Sequence, residues 1–281
     1  MVHLTVFQYI LFVVILIAAG LFAGFSGSFF GVGGGTVLVP VLLAVYTYLD
    51  PASQLHMHQA IGASLALIVF NTVAAALRHL KEGYLDLKFF RDWAIWTLIG
   101  AIIGAVIMVY ITALAIKILF TIYLYGAILF ELLRKPKKFG DQDHAERLPK
   151  GSTKIIGGIV IGTVSLILGL AGGTFTTPFL MAFDYPIKRA MAISVAGGMI
   201  IGAIGTIGAV IAGWGVFGRL PWSLGFVNLI TVIIVAPFII LSSPWGVKVS
   251  NRLPNNMLRW LYLLFLLVLA IYMTLELFNV F

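Results

Sequence analysis

Apolar runs long enough to cross a bilayer follow one another along almost the whole chain. They span residues 5–30, 36–48, 57–78, 90–111, 113–133, 153–170, 174–183, 189–212, 223–243 and 257–279. A hydrocarbon core about 30 Å thick takes roughly 20 apolar residues per helix, and several runs reach that length. The chain is 61% hydrophobic and 10% charged, against about 45–50% and about 25% for a soluble domain. Together these features predict an all-α integral membrane protein. Hydrophobicity starts with no Lys or Arg before it and continues through Ala18-Ala19-Gly20, so the first run is expected to remain part of the membrane domain and not to act as a cleaved signal.

There is no cysteine, which excludes disulfides, thiolate metal sites and thiol relays. The formal charge is +8, but the basic residues sit in short loops between apolar runs. That pattern marks loops held at the cytoplasmic face and argues against a nucleic-acid partner. The one long polar break, 134–153, divides the chain into an N-terminal membrane repeat (1–133), a cytoplasmic basic linker (134–153) and a C-terminal membrane repeat (154–281).

The two halves carry the same pattern. Gly20, Gly24, Gly31, Gly34, Gly35, Thr36 and Pro40 recur 138 positions later as Gly158, Gly162, Gly169, Gly172, Gly173, Thr174 and Pro178. A second block, at an offset of 130, matches Ala60 with Ala190, Ser64 with Ser194 and Ala66 with Ala196. Such internal symmetry marks many transporter folds. Two threadings compete. Four full spans per half point both halves the same way and divide the Lys and Arg residues unevenly but on both sides. A broken hairpin followed by three spans inverts the halves. It gathers 78–92, 134–154, 184–189 and 244–259 on one side and leaves only Lys117 and Arg219 on the other. The positive-inside rule favours the inverted threading, as do the second arms of the hairpins, which are too short to cross.

The sharpest motif is Gly31-Val32-Gly33-Gly34-Gly35-Thr36-Val37-Leu38-Val39-Pro40, echoed by Gly169-Leu170-Ala171-Gly172-Gly173-Thr174-Phe175-Thr176-Thr177-Pro178. Consecutive glycines break a helix, and within a membrane broken backbone survives only where protein or a water-filled cavity covers it. A helix restarting at Thr36 or Thr174 leaves its first N–H groups without carbonyl partners and its positive dipole end exposed. Two such ends meeting at the midplane would form an anion cradle without formal charge. The pairs Gly20/Gly24, Gly158/Gly162, Gly100/Gly104 and Gly198/Gly202 read instead as close-packing sites.

The doubled Gly-rich string and the Ala60-Ile61-Gly62-Ala63-Ser64-Leu65 run resemble the TauE/SafE sulfite exporter family over nearly the whole chain. The resemblance implies a cell-membrane transporter, of the prokaryotic plasma membrane, that carries a small sulfur-containing anion such as sulfite, sulfoacetate or another organosulfonate. The second copy of the motif has one glycine fewer, so two non-equivalent half-sites are expected.

The candidate substrate-binding residues are Gly33, Gly34, Gly35, Thr36, Ser64, Asn71, Gly172, Gly173, Thr174 and Ser194. Ser64 and Ser194 stand at matched positions, though a membrane-helix serine often back-bonds to its own helix. Asn71 shares a face with Ser64 and has no polar mate, so a packing bond competes with a ligand role. Arg78, His79, Lys188 and Arg189 are expected at the cytoplasmic mouth, as topological anchors that also concentrate anions. No acidic residue lies in the middle of a long run, so a carboxylate proton relay is not expected. Neither a cofactor nor a metal site is expected, and a homodimer is left open. Gly24-Phe25-Ser26-Gly27 matches the Gly-x-Ser-Gly of intramembrane serine proteases, but no histidine falls mid-span to serve as base. An anion channel, or a permease for another inorganic ion, is the remaining rival.

Overall fold

The computed structural model describes residues 6–30, 32–50, 53–81, 83–133, 148–183, 185–250 and 252–278. Each half contains five helices. The first has α1 (Val6–Phe29), α2 (Gly35–Leu49), α3 (His56–Lys81), α4 (Leu87–Tyr110) and α5 (Ala113–Leu133). The second has α6 (Gly151–Ile167), α7 (Gly173–Ala182), α8 (Ile187–Ala212), α9 (Leu229–Ser250) and α10 (Asn255–Leu277). Seven of these, all but α2, α6 and α7, are long and apolar enough to cross a membrane. Large apolar side chains such as Ile95, Ile102, Val106, Ile122, Ile233 and Leu264 face outward, as a lipid-facing surface requires.

Both motifs interrupt the chain. α2 has 15 residues and α7 has 10, so at 1.5 Å per residue they reach about 22 Å and about 15 Å. Each begins one residue before the threonine at which a restart is expected. The apolar run 223–243 is not all helix. Its first residues form an antiparallel hairpin, β1 (Ser223–Leu224) with β2 (Val227–Asn228). Gly225 makes the turn at φ 60°, a conformation that glycine adopts readily and residues with a Cβ adopt rarely. α6 begins at Gly151, inside the expected linker; most of that linker (134–147) lies outside the described residues.

The helix contacts repeat between halves. α1 packs along α9 as α6 packs along α4; α2 packs on α3 as α7 packs on α8; α3 meets α8, and α5 meets α10. Glycines set the closest of these approaches. A Cβ on Gly24 would lie 2.5 Å from the Ile239 carbonyl oxygen of α9, and one on Gly162 would lie 2.4 Å from that of Thr97 in α4. Gly100 and Gly104 meet Ile159 and Thr163 of α6, while Gly198 and Gly202 meet the Ala171 and Leu65 carbonyls. All four glycine pairs therefore serve close packing, where the absent side chain lets backbones touch.

Loop contacts sort the ends of the bundle. At one end the Tyr185 phenol lies near Asp86 and Arg189, and Lys154 pairs with Asp92 at 3.1 Å. At the other, Ser53 Oγ donates to the Gly218 carbonyl, Gln59 Nε2 donates to Ser223 Oγ at 3.2 Å, and His58 Nε2 lies 3.0 Å from the Ile111 carbonyl oxygen.

Candidate anion site

Both breaks are built on left-handed glycines. Gly34 caps α2 at φ 80°, and Gly172 caps α7 at φ 74°; neither helix has a side-chain cap. The first intrahelical bonds come from Val37 and Leu38 to the Gly34 carbonyl, and from Phe175 and Thr176 to that of Gly172. The amides of Gly35, Thr36, Gly173 and Thr174 therefore belong to the first turns, where no intrahelical acceptor exists and the dipole is positive. Pro40 and Pro178 fall four residues after the two threonines. A proline has no N–H to donate to the carbonyl four residues back, so the Thr36 and Thr174 carbonyls also lose their helical partners.

The two breaks touch. A Cβ on Gly35 would stand 2.5 Å from the Gly169 carbonyl oxygen, and one on Gly33 would stand 2.5 Å from the Ala171 side chain. Gly33, Gly34, Gly35, Thr36, Gly172, Gly173 and Thr174 are thus brought to one place. The glycine backbones themselves are in close contact; the Thr36 and Thr174 hydroxyls lie beside them, near Tyr123.

Thr36 Oγ1, Thr174 Oγ1, Thr177 Oγ1, Ser165 Oγ and Ser194 Oγ are all sealed from solvent without a hydrogen-bond partner. So is the hydroxyl of Tyr123 on α5, which lies close to both Thr36 and Thr174. A buried hydroxyl without a partner costs on the order of 1–3 kcal/mol, so the grouping of Thr36, Thr174 and Tyr123 needs a reason. Phe175 packs on the Tyr123 ring at a centroid distance of 5.1 Å. Sequence reasoning missed Tyr123 because α5 carries no repeat motif and its tyrosines resemble lipid-facing residues.

Ser64 and Asn71 play a different part from the threonines. Ser64 Oγ donates to the Gly169 carbonyl at 2.9 Å, across the repeat boundary, and does not back-bond. Asn71 Nδ2 donates to the Gly33 carbonyl at 3.3 Å. Both hold the broken backbone in place. Asn71 approaches Gly34, while Ile201, its mate at offset 130, approaches Gly172. The half-sites differ in hydroxyls as well: positions 165, 176 and 177 are Ser, Thr and Thr where the first half has Gly27, Leu38 and Val39. Ser26 is back-bonded to the Phe22 carbonyl, which gives it no nucleophilic role.

The expected mouth residues divide. The His79 ring packs edge-on against Tyr84 at 6.4 Å. Arg189 is exposed beside Tyr185. Burial above all pushes the Tyr185 phenol up to about 12, with Asp86 adding to the rise and Arg189 opposing it. The side chains of Arg78 and Lys188 lie outside those described.

Residues 16–273 match the family model described as sulfite exporter TauE/SafE. A probable membrane transporter protein of Haemophilus influenzae is 33% identical over 266 residues, covering 94% of this chain and 99% of that one. One from Methanocaldococcus jannaschii is 28% identical over 270 residues, covering 96% and 98%. The probable membrane transporter protein YunE of Bacillus subtilis is 27% identical over 197 residues, covering 65% and 72%. No solved structure is a significant match. The match reaches both glycine breaks and all or part of each of the seven long helices, and the chain belongs to the TauE/SafE sulfite exporter family of multi-pass membrane transporters, which are not enzymes.

Proposed function

We propose that the protein exports a small sulfur-containing anion, such as sulfite, sulfoacetate or another organosulfonate, and binds it beside the paired glycine breaks. The observation that carries this reading is the grouping of the buried Thr36, Thr174 and Tyr123 hydroxyls, none with a hydrogen-bond partner of good geometry, at two uncapped helix N-termini. Hydroxyls and amides are donors, and an oxyanion offers only acceptors, so the two sets are complementary. Hydrogen bonds to a charged group contribute about 1.5–3 kcal/mol each, which lets neutral donors hold an anion in a dry site. The Gly33, Gly34, Gly35, Gly172 and Gly173 backbone supplies the approach, with Ser64 and Asn71 positioning it.

In the same reading the repeats are inverted. α2 and α7, at about 22 Å and about 15 Å, together match the thickness of a bilayer core if they enter from opposite faces. The loop contacts support this, because the Asp86–Tyr185–Arg189 end carries nearly all the Lys and Arg, while Arg219 lies with Gly218 at the other.

A thermal-shift screen of purified protein against sulfite, sulfoacetate, taurine, thiosulfate and sulfate tests the site. A ligand at 100 times its Kd stabilises the native state by about 2.7 kcal/mol. At least one of these anions should raise the melting temperature, and Thr36→Val with Thr174→Val should remove the rise. A rise that survives the double substitution places the anion elsewhere.

A further inference from the structure

The hydroxyls at the centre are closed to solvent on both sides, so transport needs an element that moves. Most of the bundle resists separation. α1 with α9 and α4 with α6 are joined by glycine-mediated backbone contact, and packed interiors do not deform continuously. α5 and α10 differ. They pack chiefly on each other, with smaller contacts from α5 to α3 and from α10 to α2, and a Cβ on Gly126 of α5 would meet no neighbouring element within 4 Å.

Two ion pairs hold these helices together, one near each end. Lys117 Nζ lies 2.8 Å from Glu276 Oε1. At the opposite end Arg259 Nε lies 3.4 Å from Glu131 Oε1, and the same guanidinium donates to the Glu131 and Leu132 carbonyls. The pairs are mates under the repeat. Lys117 and Arg259 are each the fifth residue of their helix, and each meets a glutamate within the last three residues of the other. All four side chains are mostly shielded; Glu276 is 8% exposed and Arg259, the most open, 25%. Tyr123, which faces Thr36 and Thr174, stands between the pairs. At 1.5 Å per residue it is about 9 Å from Lys117 and about 12 Å from Glu131 along the axis.

We propose that α5 and α10 form a bar across the anion site, latched by Lys117–Glu276 toward the Arg219 face and by Glu131–Arg259 toward the linker face. Releasing one latch tilts the bar and opens Thr36, Thr174 and Tyr123 to that face, while the other latch keeps the opposite face shut. Breaking a shielded pair is costly while its charges stay buried, but tilting hydrates them, which makes each latch a switch between two discrete states. The proposal rests on the reading of the central hydroxyls as the ligand site.

Because the chain lacks cysteine, one reporter reads access directly. Thr177→Cys places a thiol where the Thr177 hydroxyl is now sealed. The variant is reconstituted in a single orientation and treated on each face in turn with a charged, membrane-impermeant thiol reagent. Glu276→Gln should raise labelling about tenfold from the Arg219 face only, and Glu131→Gln about tenfold from the linker face only, the factor that about 1.4 kcal/mol provides. Lys117→Gln breaks the first latch from its other partner and must give the same sided gain. The exchange Lys117→Glu with Glu276→Lys should return labelling to the parent level. Gains of equal size from both faces, or no gain from either, overturn the latches. Sulfite binding, followed by thermal shift on the same variants, reports on the site separately, since labelling reads access and not affinity.

Discussion

At the scale of single residues, left-handed glycines and sealed hydroxyls define the proposed site. Gly35→Leu drives a side chain into backbone, since the Cβ alone would come within 2.5 Å of the Gly169 carbonyl oxygen, and Gly173→Leu makes the same change at the matched position of the second break. Both variants should insert into the membrane and show no measurable anion flux in proteoliposomes. Wild-type flux in both would remove these glycines from the site. Tyr123→Phe deletes one donor with little change in shape. A hydrogen bond to a charged group contributes about 1.5–3 kcal/mol, so the anion should bind roughly 10- to 100-fold more weakly in a thermal-shift titration. An unchanged Kd would assign the hydroxyl to packing. Ser64→Ala should instead lower stability by about 1 kcal/mol, since its bond goes to the Gly169 carbonyl; a lower melting temperature with an unaltered Kd is the signature of a positioning residue. The threonines and glycines of the proposed site stand out in the sequence because they are duplicated. Tyr123 does not, because its relevance comes from a neighbour on another helix.

At the scale of elements, the packing of α4 against α6 depends on the absence of a side chain. A Cβ on Gly100 would lie 2.1 Å from the Ile159 carbonyl oxygen. Overpacking commonly costs about 1–3 kcal/mol, and here the obstruction is backbone. Gly100→Leu should therefore cut the thermal stability of detergent-solubilised protein more than Gly126→Leu, because a Cβ on Gly126 would meet nothing within 4 Å. Equal losses would mean that the two helices do not meet at Gly100. Helix number and approximate bounds followed from the apolar runs, since length and hydropathy act locally. The β1–β2 hairpin did not, because Gly225 and the cross-chain bond between Gln59 and Ser223 set it, and neither leaves a periodic trace.

At the scale of the whole molecule, the ten described helices fall into two sets of five with matching contacts. In the inverted reading Lys248 and Arg219 lie on opposite faces. Cysteines introduced singly at these positions should label from opposite sides of the membrane in oriented vesicles; labelling from one side would favour parallel repeats. Export of a monoanion down an inside-negative potential of 100 mV gains about 2.3 kcal/mol, which supports roughly a 50-fold gradient. Flux at a clamped potential should rise with voltage, and indifference to voltage would point to an electroneutral partner ion.

What the sequence determined alone was whatever is local or repeated: membrane helices from continuous apolar length, breaks from consecutive glycines, and two halves from identities at a fixed offset. Backbone conformation and transfer into lipid act over a few residues or a single helix, so they are written along the chain. Tertiary structure decided what is brought together: the contact of Gly35 with Gly169, the turning of Ser64 and Asn71 toward loop carbonyls, the arrival of Tyr123 between Thr36 and Thr174, and the reciprocal pairs on α5 and α10. These depend on distances between residues separated by tens to more than a hundred positions, and only the packing of the helices fixes such distances.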